Sequence, residues 1–161
     1  MKDKFSQNSE DYKNFRPNYP KEVFDFIFEH LKNFENAWDV GTGNGQVAVN
    51  LSEKFEDVFA TDISENQINN AEKKSNIHYS VQPAEKTGFP DIFFDLITVG
   101  QAIHWFDFEK FYTEANRVGK KNGIIVALGY GRIQAEKAIN QIIDEFYFDI
   151  LGKYWDAERK L

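Results

Sequence analysis

Seven residues, Asp39-Val40-Gly41-Thr42-Gly43-Asn44-Gly45, carry the most chemically suggestive spacing in the chain. They stand between a strand-like run over 34–40 and a helical pattern that places Val47, Ala48, Leu51 and Phe55 on one face. A strand entering a glycine-rich turn and then a helix aims backbone N–H groups at a space with little side-chain bulk. A ligand can lie directly on such a main chain. The third glycine arrives one residue earlier than in the G-x-G-x-x-G of dinucleotide sites, which seat a pyrophosphate. Asp39, just ahead of the first glycine, would repel a pyrophosphate and suits a ligand bearing an ammonium group. The competing reading is a tight strand-to-helix turn with no ligand at all.

Asp62 is the second chemical element. It follows a short strand, Val58-Phe59-Ala60-Thr61, and lies about 20 residues past the first glycine, where an acid accepts hydrogen bonds from ribose hydroxyls. It could instead cap the helix that follows. Ser64-Glu65-Asn66-Gln67 has the S-x-x-Q form of a capping box, in which the Ser and Gln side chains each satisfy the other's backbone N–H. The loop and the two acids together point to an adenosine-type ligand.

The elements that must hold these residues are readable from periodicity. Pro20 suits a first helical position, with Phe24, Ile27, Phe28 and Leu31 following at helical spacing. A third strand is expected over 77–81, a loop over 82–91, and a fourth strand over 93–99 interrupted by Asp95. Asp107 caps a helix whose Phe108, Phe111, Tyr112, Ala115 and Val118 share a face. Residues 119–123 read as a turn into a fifth strand over 124–128, and a last helix is expected over 133–151. Strands rich in Val, Ile and Phe alternating with helices predict an α/β parallel sheet covered on both faces, in one domain over residues 1–161.

Composition narrows the partners. The 161 residues carry a net charge of −7, which argues against nucleic acid, since counterion release needs clustered Lys and Arg. There is no cysteine, which excludes disulfides and thiolate chemistry, and His30 and His78 have no spacing to acids that a metal site requires. No apolar run has the length of a signal peptide or a membrane span, so the expectation is a soluble, cytoplasmic protein without a membrane partner.

The chain resembles the class I S-adenosylmethionine-dependent methyltransferases, of methyltransferase type 11, and within them the group of trans-aconitate methyltransferase-like proteins. Residues 39–45 match the first motif of that family and Asp62 its ribose-binding acid. Pro83-Ala84-Glu85 and Phe94-Asp95-Leu96-Ile97 resemble the loop and strand flanking the adenine. Tyr12, Arg16-Pro17, Tyr19-Pro20 and Gln101-Ala102-Ile103-His104-Trp105 resemble the narrower group. The resemblance implies a doubly wound Rossmann-like fold and S-adenosylmethionine as cofactor. It places Gly41, Thr42 and Gly43 against the methionine part, Asp39 near its amino group, Asp62 on the ribose and Ile63 on the adenine. Ala84 and Glu85 would lie at the adenine edge, although Pro83 stands where the family commonly has an aspartate.

Gln101–Trp105 follows the fourth strand, at the end of the sheet where open α/β folds bind ligands. Gln101 could contact the cofactor, and His104 is either the catalytic base or a structural histidine. Trp105 and Phe106 read as core or pocket wall. Tyr12, Arg16 and Tyr19 are either a lid over the cofactor or a surface segment anchored by aromatics. The expected reaction is methyl transfer to a small molecule with a carboxylate or hydroxyl. The fold that the chain resembles continues to two more strands, for which no candidate follows residue 151. Two rivals stand beside the enzyme: a cofactor-binding module without turnover, which the shortfall suggests, and a nicotinamide-dependent oxidoreductase, which would share the nucleotide half but is disfavoured by the loop spacing and Asp39. A sheet ending at the fifth strand exposes an edge that could pair with another copy of the chain.

Overall fold

The computed structural model describes residues 18–131 and 133–154, so Tyr12 and Arg16 lie outside the described residues. The elements are α1 (Lys21–Glu29), β1 (Asn36–Val40), α2 (Gln46–Leu51), β2 (Asp57–Asp62), α3 (Glu65–Asn69), β3 (Ile77–Val81), β4 (Phe94–Gly100), α4 (Phe108–Val118), β5 (Gly119–Leu128) and α5 (Lys137–Asp144). The chain divides into two compact units after Leu128.

The first unit holds a five-stranded sheet in the order β3-β2-β1-β4-β5, with every pairing parallel. Parallel neighbours require crossovers, and these bring the helices to both faces. Residues alternate between faces along each strand, so the sheet builds two cores. Ala37, Val58, Ala60 and Leu96 pack with Phe24 and Ile27 of α1 and with Val47, Ala48 and Leu51 of α2. Trp38, Val40, Phe94, Ile97 and Val99 pack with Phe111, Ala115 and Val118 of α4. Trp38 is fully buried; its ring lies 5.7 Å from that of Phe94 and its indole N–H donates to Thr61 Oγ1 at 2.9 Å. The order reverses at β1, flanked by β2 on one side and β4 on the other, and that reversal opens a crevice at the carboxyl ends of the strands.

Two expected boundaries shift. The turn expected over 119–123 is absorbed into β5: Phe94 pairs with Gly119 and Leu96 with Ile124, so the residues between bulge out of the ladder. The second unit holds the last helix, which is shorter than the expected 133–151. Regular helix covers Lys137–Asp144, widens to a π-turn over Glu145–Ile150, and tightens to a 3₁₀ turn at Gly152–Tyr154. Ile139, Ile142 and Ile143 form an apolar stripe along it, yet no residue of α5 is buried. Without packing on that stripe, nothing enforces one continuous helical register. No helix among the described residues is long and apolar enough to cross a membrane.

Candidate functional site

Asp39 sits near the end of β1 and is 1% exposed. One of its oxygens accepts from the Thr42 hydroxyl at 2.5 Å and the Ala48 N–H at 3.2 Å, and the other accepts from the Thr98 hydroxyl at 3.0 Å. One carboxylate therefore ties together the glycine loop, α2 and β4. Burial pushes its pKa up to about 6, against the pull of these hydrogen bonds, and the charge of Asp62 adds to the rise. The surroundings leave the anion under-compensated, so a nearby cation would be favoured.

The loop is more occupied than its sequence suggests. The Thr42 N–H donates to Thr61 O at 2.9 Å, the Gly43 N–H to Asp62 Oδ2 at 2.9 Å, and the Gly45 N–H to Thr42 O at 3.0 Å. These three donors hold the turn closed instead of awaiting a ligand. Access depends on missing bulk, and that differs between glycines. Gly41 (φ +63°) is walled in, since a Cβ there would lie 2.7 Å from Ala102 Cβ. Gly43 (φ +56°) is far less enclosed, a Cβ there meeting only Gln67 Oε1, at 4.0 Å. The left-handed conformation demands glycine at both, but only Gly43 offers its face.

Asp62 serves the loop and the next helix together, accepting from Gly43 N–H and, at 2.9 Å, from Ser64 N–H. That second bond rewrites the capping box. Ser64 Oγ accepts from the Gln67 N–H at 3.4 Å, as expected, but the Ser64 N–H goes to Asp62 and not to the Gln67 side chain. The Gln67 carboxamide is released, and its oxygen points toward Gly43 from a residue only 2% exposed.

The remaining candidates divide. Tyr19, Asp39, Gly41 and Thr42 line one depression together with Asn44 and Gly100. Gln101, directly after β4, adopts φ +55°, rare for a residue with a side chain and a form of strain that clusters at binding sites. Its N–H is held by Leu128 O at 2.9 Å. His104 lies in a 3₁₀ turn (Ile103–Trp105), with its ring 4.8 Å from that of Trp105. Ile63 is half-buried beside Asp62. Ala84 is buried in the core on the α4 side, and Glu85 accepts the Asp107 N–H at 3.2 Å, at the start of α4.

Three side-chain atoms at this end of the sheet are buried without a hydrogen-bond partner: Asn44 Nδ2, Gln67 Oε1 and Gln101 Nε2. Asn44 follows β1, Gln67 follows β2, and Gln101 follows β4. Of these, sequence reasoning had named only Gln101. Asn44 lay inside the motif, but an x position carries no signal of its own. Gln67 reads in the sequence as half of a capping box, a local role that masks any other. Buried polar groups without partners are rare, and three of them in the segments that follow β1, β2 and β4 mark a surface completed by a polar ligand.

Comparison with known proteins gives a consistent picture. The family model described as a methyltransferase domain matches residues 38–127. A Dictyostelium discoideum protein named as a candidate methyltransferase is 39% identical over 98% of this chain and 62% of its own length. A ubiquinone/menaquinone biosynthesis C-methyltransferase of Rickettsia prowazekii is 32% identical over 76% of this chain and 53% of its own length. The solved structure of a candidate type II methyltransferase from Anaeromyxobacter dehalogenans superposes with a TM-score of 0.80 at 36% identity, over 91% of this chain and 62% of that one. The chain thus spans roughly half to three fifths of the length of these relatives.

Proposed function

The chain belongs to the methyltransferase domain family, and from that membership we propose that it binds S-adenosylmethionine and directs its methyl group to a small-molecule acceptor. The observation that carries the reading is the set of unpartnered polar atoms in the segments after β1, β2 and β4, one of them beside Gly43, together with Asp39 and Asp62 at the ends of β1 and β2. Their polarity fits this cofactor. Asn44 Nδ2 is a donor suited to the amino-acid carboxylate, under-compensated Asp39 favours the ammonium group, and Asp62 and its neighbours are acceptors suited to ribose hydroxyls. Gly41, Thr42 and Tyr19, with Arg16 and Tyr12 of the preceding segment, would enclose the methionine part. Ile63, Ala84 and Glu85 would bound the adenine, and Gln101 would lie between cofactor and acceptor.

Bound S-adenosylmethionine supplies an already activated methyl group, so no covalent link to the protein is needed. The task of the chain is alignment and exclusion of water. Asp39 keeps the loop closed through Thr42, Thr98 and Ala48, and Asp62 fixes Gly43. For a hydroxyl acceptor, His104 takes the proton at a ring nitrogen; a carboxylate acceptor needs no base. A carbon acceptor is a second reading, favoured by the likeness to the Rickettsia C-methyltransferase.

Isothermal titration calorimetry with S-adenosylmethionine and S-adenosylhomocysteine tests the binding half, and absence of heat with both would sink the proposal. Incubation with methyl-labelled cofactor and a panel of acceptors tests the transfer half. A base-labile product identifies an ester, and a base-stable one an ether or a new carbon–carbon bond, which fragmentation mass spectrometry separates.

A further inference from the structure

We propose that Gln67 is a cofactor-positioning residue whose carboxamide oxygen accepts a hydrogen bond from a ribose hydroxyl; the inference rests on the nucleoside reading above. Three observations bring it about. The Gln67 side chain is excluded from its capping role because Asp62 takes the Ser64 N–H. The freed oxygen is buried with no partner. It is also the nearest atom to the open face of Gly43, whose N–H is held by Asp62. Asp62 and Gln67 thus both address Gly43, one with a carboxylate and the other with a neutral amide.

The chemistry explains why an amide and not a second acid stands there. An acceptor is needed for a hydroxyl donor, and a second carboxylate near Asp62 and Asp39 would add repulsion without adding a bond. A neutral carboxamide accepts equally well in direction and carries no charge. Its burial without a partner is costly in the free protein, since a desolvated acceptor forfeits its bond to water. A ligand hydroxyl restores that bond. Gln67 therefore stores in the free protein a penalty that binding removes, whereas an apolar side chain of the same length would pack there with no such penalty.

That reasoning sets the test, because stability and affinity must move in opposite directions. Gln67→Met keeps length and volume and removes the orphan oxygen. In the full chain, the variant without ligand is expected to melt higher than the parent. Its affinity for S-adenosylhomocysteine in calorimetry is expected to fall about tenfold, as for one lost hydrogen bond to a buried neutral group. Analogues lacking the 2′- or the 3′-hydroxyl identify the bond: for one of the two, parent and Gln67→Met should bind equally. An unchanged affinity for S-adenosylhomocysteine in a folded Gln67→Met overturns the proposal. So does an equal loss for the intact ligand and both deoxy analogues, or a lowered melting temperature with parallel loss of binding, which is the signature of a structural residue. If the parent itself binds no S-adenosylhomocysteine, the nucleoside reading fails along with this one; if it binds and the variant matches it, only this one fails.

Discussion

The two ends of the sheet treat polar groups in opposite ways. At the amino end of β4, Glu114 accepts from the Thr87 N–H at 2.7 Å, from the Thr87 hydroxyl at 2.5 Å and from Arg117 at 2.7 and 2.9 Å. Arg117 in turn reaches Asp91 at 2.5 Å and Phe89 O at 2.9 Å. Helix α4 is thereby clamped to the loop between β3 and β4. At the carboxyl ends of β1, β2 and β4, Asp39 has no such cation among the described residues, and the amides of Asn44, Gln67 and Gln101 each keep an unpartnered atom. The same fold finishes one polar cluster and leaves the other open. The physical distinction is between a structure that satisfies its polar groups internally and a surface that waits for a partner to do so.

The acids record the difference. Burial would raise the pKa of Glu114, but Arg117 and Thr87 outweigh it and hold the carboxyl down at about 2. For Asp39 burial wins, and the pKa rises to about 6. The linked stabilities have opposite signs. The Glu114 contribution is present above the ordinary carboxyl range and lost as pH falls toward 2. The Asp39 contribution is present at pH values below that range, where the group is neutral in both states, and lost as pH rises through 6.

The largest expected effect is on binding. Asp62→Ala removes a charged acceptor of the open cluster and should weaken S-adenosylhomocysteine about a hundredfold in calorimetry, as for charge-assisted bonds of about 1.5–3 kcal/mol. Parent-like affinity in this variant would erase the distinction between the two ends. Next comes the pH profile. Between pH 4.5 and 6.5 the urea stability of the parent should fall by on the order of 2 kcal/mol through Asp39, and Asp39→Asn should remove that slope. A parent whose stability instead rises across this window would contradict the assignment.

Glu114→Gln probes the finished cluster. It should cost about 1–2 kcal/mol in urea denaturation, with affinity for S-adenosylhomocysteine within twofold of the parent; the loss is moderated because Arg117 keeps Asp91 and is partly in contact with water. The smallest effects concern the two non-glycine residues with positive φ, one at each end: Ile92 (φ +55°) and Gln101 (φ +55°). Glycine at either should relieve strain and raise stability by about 0.5–1 kcal/mol. Only Gln101→Gly should also weaken the ligand, because only that strain lies beside the open site. Thermal melts with and without S-adenosylhomocysteine separate the pair.

Much of the sheet was legible because its signals are local. Val58–Thr61, Ile77–Val81 and the run ending at Val99 declare themselves by β-branched and apolar residues, and the glycines at 41, 43 and 45 by the positive φ that each adopts. The α5 region was less legible, since a helical stripe of Ile and Phe has the same appearance whether or not anything packs on it. Asp95 is a further instance. It reads as a blemish in an apolar strand, yet it is buried and accepts from the Glu35 and Asn36 N–H groups and from Lys120 at 3.0 Å. Partners 25 and 60 residues away in sequence leave no mark on its neighbours.

The sequence by itself determined the order of strands and helices, the glycine turn, the two acids and the family to which they belong, all features written within a few residues or one crossover. Tertiary structure alone decided how those parts are used. It diverted three loop N–H groups into the protein, and it walled in Gly41 while leaving Gly43 open. It also gave the Ser64 N–H to Asp62, so that the Gln67 side chain was freed from its cap. The reason is that a hydrogen-bond donor chooses among all acceptors within reach, and reach is set by the packing of distant segments. The motif names the residues of the site; the competition among their neighbours settles which of them remain for a ligand.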